Sequence, residues 1–286
     1  MPDRAWGSAK VKILRLVLLG LAALAVVLSG MVFWQRLTRP GQAAHPGRAG
    51  ILTGAGQSYE PAAQVEAARR IFENMLKGAP EYALFFDRLK AVFPGEYQSF
   101  LLALAKRWAS SGEIGSPDLH LAEAVRALRL SRGILAAKAG TAALQHIFEL
   151  QLAMLRALGA KNPRLCADYL SGGESPGYLE FAGQNRELVA ELSLAGIDAI
   201  VDGEKEQVTR DPPTVAEFDS LEQLLRARGL RNAEIEALLD GTMGDPAVSD
   251  ESLCKAGQIY LEALAAMPEE SRLRIYGLAI ELMARS

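Results

Sequence analysis

The sequence predicts an all-α protein: one N-terminal transmembrane helix, a tether, then a globular domain of about ten helices. Three observations predict it. A long uncharged stretch lies near the N-terminus. Helical start and stop signals then follow one another almost without a gap. No segment alternates apolar and polar residues as a half-buried strand would. The boundaries expected are a basic cytoplasmic segment 1–12, an anchor 13–35, a tether 36–58 and an exported helical domain 59–286.

The anchor comes first. Leu16–Trp34 carries no charged residue, and as a helix it would be about 28 Å long, close to the hydrocarbon thickness of a bilayer. Lys10, Lys12 and Arg15 suit one interface, Trp34, Arg36 and Arg39 the other. The stretch is longer than a cleavable signal core, and no A-x-A site follows. Met31 stands where a lipoprotein box after Leu28–Gly30 would need cysteine. An uncleaved single-pass anchor is expected. Four basic residues (Arg4, Lys10, Lys12, Arg15) precede the span and three (Arg36, Arg39, Arg48) follow it, which holds the N-terminus in the cytoplasm. Arginine outnumbers lysine 22 to 9, a usage typical of GC-rich bacteria. The expected location is therefore the inner membrane, with the C-terminal domain in the periplasm.

Charge is divided sharply. Residues 1–50 hold seven basic residues against Asp3, a net +6, and the remainder holds 24 basic and 33 acidic, a net −9. A body that acidic has no electrostatic footprint for a phosphate backbone, so nucleic acid is not an expected partner. Half the residues are hydrophobic and 23% charged, the profile of a chain with a packed core.

The tether, "RPGQAAHPGRAGILTGAGQS", is rich in Gly, Pro and Ala without apolar period. Pro61 opens the first helix beyond it, with Val65, Ala68, Phe72, Met75 and Leu76 on its stripe. Pro80 opens the next, carrying Tyr82, Phe85, Phe86, Leu89, Val92 and Phe93. A third carries Tyr97, Leu101, Leu104, Ala105 and Trp108. Ser116-Pro117-Asp118 reads as N-cap, first-turn proline and dipole-favoured acid, before a stripe of Leu119, Ala122, Val125 and Leu128. From Ser131 one long helix is expected to run to Asn162, apolar nearly all round at Ile147–Leu158 and so the central buried element. Pro163 starts a short cysteine helix, and another helix lies within Tyr178–Ile200. Thr214 and Glu217 form a capping box. Gly229 separates the following pair of helices, and Pro268 divides the last two, Asp250–Met267 and Glu269–Ala284.

Few motifs carry chemistry. Gly173-Glu174-Ser175-Pro176-Gly177 matches G-x-S-x-G, but a nucleophile elbow needs a strand before it and an N–H on the residue after serine, and Pro176 has none. Glu174-Ser175 also resembles the catalytic pair of helical lytic transglycosylases, whose remaining motifs are absent. His45, His120 and His146 are scattered, and with two cysteines they give no C-x-x-C or H-x-x-x-H spacing, so no metal is expected. Asp240–Glu251 has acids at the ends of a twelve-residue loop but lacks the ligands and glycine of a calcium loop. Ala256, Tyr260, Ala263 and Pro268 fall where the second helix of a tetratricopeptide unit has its small, aromatic, small and proline positions, and Gly244 fits the first. That stretch resembles one such unit. Pro246 interrupts its first helix and no second copy follows, so a stacked solenoid is not implied.

In an exported chain, two cysteines outside any redox motif are expected to pair, and Cys166 and Cys254 are predicted to form a disulfide. No catalytic, cofactor-binding or metal residue is expected. The leading functional expectation is an accessory module that holds a partner protein near the membrane. The alternatives are a module enclosing a small apolar ligand or lipid among the aromatic helices of Tyr82–Trp108, and an enzyme using dispersed carboxylates.

Overall fold

The structure is a computed structural model and describes residues 61–113, 115–170, 175–239 and 247–285. The anchor, the tether, His45 and the Asp240–Pro246 part of the acidic loop lie outside the described residues. Within them the chain forms twelve α-helices, one 3-10 segment and no strand. The helices are α1 Pro61–Leu76, α2 Pro80–Val92, α3 Pro94–Ser111, α4 Pro117–Arg132, α5 Thr141–Lys161 and α6 Pro163–Leu170. They continue with α7 Pro176–Gln184, α8 Arg186–Glu206, α9 Val215–Ala227, α10 Asn232–Leu239, α11 Asp250–Ala265 and α12 Glu269–Ala284. The 3-10 segment, Gly133–Lys138, lies between α4 and α5. None of these helices is long and apolar enough to cross a membrane.

Six helices begin at a proline as their first residue, where the missing N–H costs nothing. Ser116, Ser175 and Ser249 each accept a first-turn N–H, as does Thr214. Glu217 completes the capping box by accepting the Thr214 N–H at 2.7 Å. It also receives Arg274 of α12 at 2.5 Å, so one carboxylate caps α9 and ties it to another helix. The Arg274 hydrogen bond, together with the Thr214 amide, overcomes burial and holds the Glu217 carboxyl down at about 2. A carboxyl depressed in the folded state stabilises above the ordinary carboxylate range and loses that contribution as pH falls through its folded value. The α9–α12 contact should therefore stay intact at pH 4 and open only as pH approaches 2. Amide exchange across Thr214–Phe218 checks this, and opening already complete at pH 4 would refute it.

Burial follows the expected stripes in α1–α3, where Phe72, Tyr82, Phe85, Phe86, Leu89, Phe93, Tyr97 and Leu101 are buried. The structure corrects four expectations. In α4 the buried face is Asp118, His120, Leu121, Ala124 and Leu128, a register that takes a carboxylate and an imidazole inward. The single helix expected from Ser131 is broken by the 3-10 segment. Its backbone is claimed by other elements: Arg210 donates to the carbonyls of Ala137 and Ala139, Val208 N–H to that of Lys138, and Asp202 accepts the Gly140 N–H. Groups that a continuous helix would use internally are used between elements instead, which favours the tighter coil. The segment expected within Tyr178–Ile200 is two helices hinged at Asn185, whose side-chain amide donates to Phe181 O at 2.9 Å.

The central element is α8, not α5. The outward face of α5, with Glu149, Ala153 and Arg156, is exposed. Helix α8 buries Val189, Ala190, Ser193, Ala195, Ile197, Ala199, Ile200 and Gly203, and packs on the 3-10 segment, α5 and α2. Helix α11 plays the same part in the C-terminal half, packing on α6, α5, α10 and α9. Ala256 and Ala263 are fully buried there, as close helix approach requires. One core runs from Ala68 to Ile280 through both halves.

A candidate site at the junction of α7 and α8

A cleft of about 420 Å³ opens where α7 meets α8, lined by Glu81, Gly183, Gln184, Asn185, Arg186, Glu187 and Leu188. Behind it three side chains from three helices converge. Tyr82 of α2, wholly buried, donates its hydroxyl to Asp118 Oδ1 at 2.8 Å and lies 3.3 Å from Ala182 O. Asp118 comes from the first turn of α4 and is 8% exposed. Arg186, the first residue of α8, reaches Asp118 Oδ1 with Nε at 3.2 Å and Oδ2 with Nη2 at 3.4 Å, and Gly78 O with Nη1 at 2.9 Å. Its guanidinium sits 5.8 Å from the centre of the Tyr82 ring. A Cβ at Gly183 would rest in ordinary contact with the Asp118 carboxylate, 3.4 Å from Oδ2, which places α7 directly against this group.

This group is built for rigidity. Burial, reinforced by Asp118, pushes the Tyr82 hydroxyl far above its ordinary value, so it remains a donor. The hydrogen bond to Asp118 raises Arg186 in turn. A carboxylate that already accepts a phenol and a guanidinium is poorly placed to take a substrate proton; it fixes the entry angle of α8. That angle matters because Asn185 makes no side-chain cap, so the amides of Arg186, Glu187 and Leu188 are left without helical partners. These three residues line the cleft with Gln184 and Asn185. Glu81 also lines the cleft, and its Oε2 is buried without a hydrogen-bond partner among the described residues.

The sequence-predicted residues fall elsewhere. Ser175 Oγ accepts the Tyr178 N–H at 3.1 Å and starts α7 as an ordinary cap; Gly173 and Glu174 lie outside the described residues. A fluorophosphonate probe should leave Ser175 unlabelled, and Ser175→Ala should cost about 1 kcal/mol of stability. Labelling that disappears in Ser175→Ala would reverse this reading. His146 is exposed on α5. His120 is wholly buried, edge-on to Phe72 and Phe100 at 5.9 and 6.1 Å, with Nδ1 3.5 Å from Glu123 Oε2. No group of three His, Cys, Asp or Glu suited to a metal occurs among the described residues.

Cys166 of α6 and Cys254 of α11 are brought together in a disulfide with Cα atoms 5.3 Å apart, within the span a bridge requires. Both are buried. Gly159 of α5 passes so close that a Cβ there would lie 2.9 Å from Cys254 Sγ. Gln258 lies over the bridge, its amide donating to Leu155 O at 3.2 Å and lying 3.5 Å from the same sulfur.

The Tyr82–Asp118–Arg186 group had no signature in sequence. Tyr82 reads as one more core aromatic and Asp118 as a first-turn acid, and their 36-residue separation hides the pairing. A comparison with protein-family models, curated proteins and solved structures finds no match to this chain.

Proposed function

We propose that this chain is a membrane-tethered helical interaction module whose partner protein docks at the α7–α8 cleft. The observation that carries the reading is the uncapped first turn of α8. Its first three residues, whose amides lack helical partners, line a polar cleft, and the turn is held by the buried Tyr82–Asp118–Arg186 group. Exposed donors and acceptors on a rigid frame suit the main chain of a docking segment. A partner carbonyl or side chain supplying the missing cap would gain hydrogen bonds at little ordering cost to this chain.

The aromatic helices favour this over an enclosed apolar ligand. Phe72, Phe85, Phe86 and Phe100 pack on one another with ring centres 4.7–5.2 Å apart. Neither the α7–α8 cleft nor the cleft lined by Thr209, Arg210, Asp211, Glu270 and Arg274 has an aromatic residue in its lining.

The tested form is the full chain in its native membrane. A photocrosslinking residue at Gln184 should give a discrete protein adduct that the same residue at exposed Glu149 does not. Identical adducts from both positions, or none from Gln184, would refute docking at this cleft. The reading also places the helical body outside the cytoplasm, held by Leu16–Trp34. A reporter active only in the cytoplasm, fused after Ser286, should be silent. An active reporter would invert the orientation.

A further inference from the structure

A second cleft, of about 240 Å³, lies between the strap that follows α8 and the first turn of α12, lined by Thr209, Arg210, Asp211, Glu270 and Arg274. Its two arginines differ. Arg274 is neutralised: Nε and Nη2 hold Glu217 at 3.0 and 2.5 Å, and Nη1 holds Glu270 at 2.6 Å. Arg210, half-buried, donates instead to two carbonyls, Ala137 O at 3.0 Å and Ala139 O at 2.6 Å. It forms no ion pair within 4.0 Å among the described residues. Carbonyl oxygens satisfy N–H groups but do not cancel a charge, and a guanidinium has five N–H groups, of which these bonds use two. Burial pushes Arg210 below its ordinary value with no anion opposing it, consistent with a cation left uncompensated.

The acids of the cleft stand at its rim. Asp211 is exposed, and the Glu270 side chain is 83% exposed, whereas that of Arg274 is 20% exposed. Water and salt screen the rim charges more than the floor. Thr209 adds a hydroxyl, and α12 starts beside it at Glu269 without a side-chain cap. We propose that this cleft binds a small carboxylate, taken by the uncommitted N–H groups of Arg210 with the Thr209 hydroxyl beside it. One uncompensated positive charge matches a monoanion. A dianionic phosphate would exceed it and meet the rim acids. A planar carboxylate also fits the guanidinium fork. A role confined to strapping the 3-10 segment would need the two carbonyl bonds alone.

The test uses the full chain in non-ionic detergent, with acetate replacing chloride at constant ionic strength and the thermal midpoint followed. Wild type should show a saturable rise. Arg210→Gln should abolish it. Asp211→Asn removes a competing rim charge without releasing Arg274 from its partners, and should lower the half-saturating acetate concentration roughly threefold or more. The Asp211 variant decides the matter should Arg210→Gln fail to fold, because a purely structural arginine predicts no change there. N-acetyl-dialanine with a free rather than an amidated C-terminus distinguishes a peptide end from a free acid: a gain over acetate, lost on amidation, identifies the former, and parity with acetate the latter. No saturable rise in wild type, an unchanged Asp211→Asn, or a stronger response to phosphate than to acetate would overturn the proposal.

Discussion

Gly203→Ala should destabilise the protein by about 3 kcal/mol or more, a very large effect for one methyl group. The cause is backbone, not side chain. A Cβ at position 203 would overlap the Leu135 carbonyl oxygen, with the carbonyl carbon at 2.8 Å and Ala139 N at 3.0 Å. No rotamer change relieves such a clash; α8 must move off the 3-10 segment, its most extensive neighbour. That movement would pull apart the Asp202–Gly140 and Val208–Lys138 bonds and uncover Ala136 and Ala139. Gly196 supplies the control. It lies two turns earlier on the same helix, and a Cβ there meets nothing within 4 Å. Gly196→Ala should leave stability unchanged or raise it by about 0.5–1 kcal/mol, since alanine holds a helix better than glycine. At roughly 2–4 °C per kcal/mol for a domain of this size, thermal melts separate the two variants clearly. Equal melting temperatures would show that α8 does not approach the 3-10 segment this closely.

The same contact explains which parts of the fold were readable. Helix starts are local, so Ser116-Pro117 and the Thr214–Glu217 box could be placed from a few adjacent residues, and the structure has a helix beginning at each. The break after Arg132 could not be placed that way. It exists because Gly203, Arg210, Asp202 and Val208, all far along the chain, compete for the backbone between Leu135 and Gly140. Asp118 is the mixed case. Its position in a first turn was legible, but its burial depends on Tyr82 and Arg186, which only the packed fold brings within hydrogen-bond distance. The candidate cleft inherits that opacity, since a helix end without a cap is recognised by what fails to contact it.

Removing the Cys166–Cys254 bridge should cost about 2–4 kcal/mol, read as a melting temperature lowered by roughly 5–15 °C. The cysteines are 88 residues apart, so the bridge closes a long loop and restricts the unfolded chain strongly. In the folded state it fastens α6, only eight residues long, to α11. So short a helix has little stability of its own, and it depends on the bridge and on packing against α5 and α11. The double variant Cys166→Ala/Cys254→Ala is the proper comparison, because a single substitution would leave a buried thiol facing Gln258. Loosened α6 would also uncouple the start of α7, where Leu165 packs beside Gly177. The loss should therefore appear first as faster amide exchange at α6 and the α7 start, while α1–α3 keep their protection. Protein alkylated at the moment of isolation should show no free thiol, since neither cysteine is unpaired in the structure. Two alkylated thiols per chain, or a double variant melting with wild type, would mean that the bridge does not hold the C-terminal half to the middle of the chain.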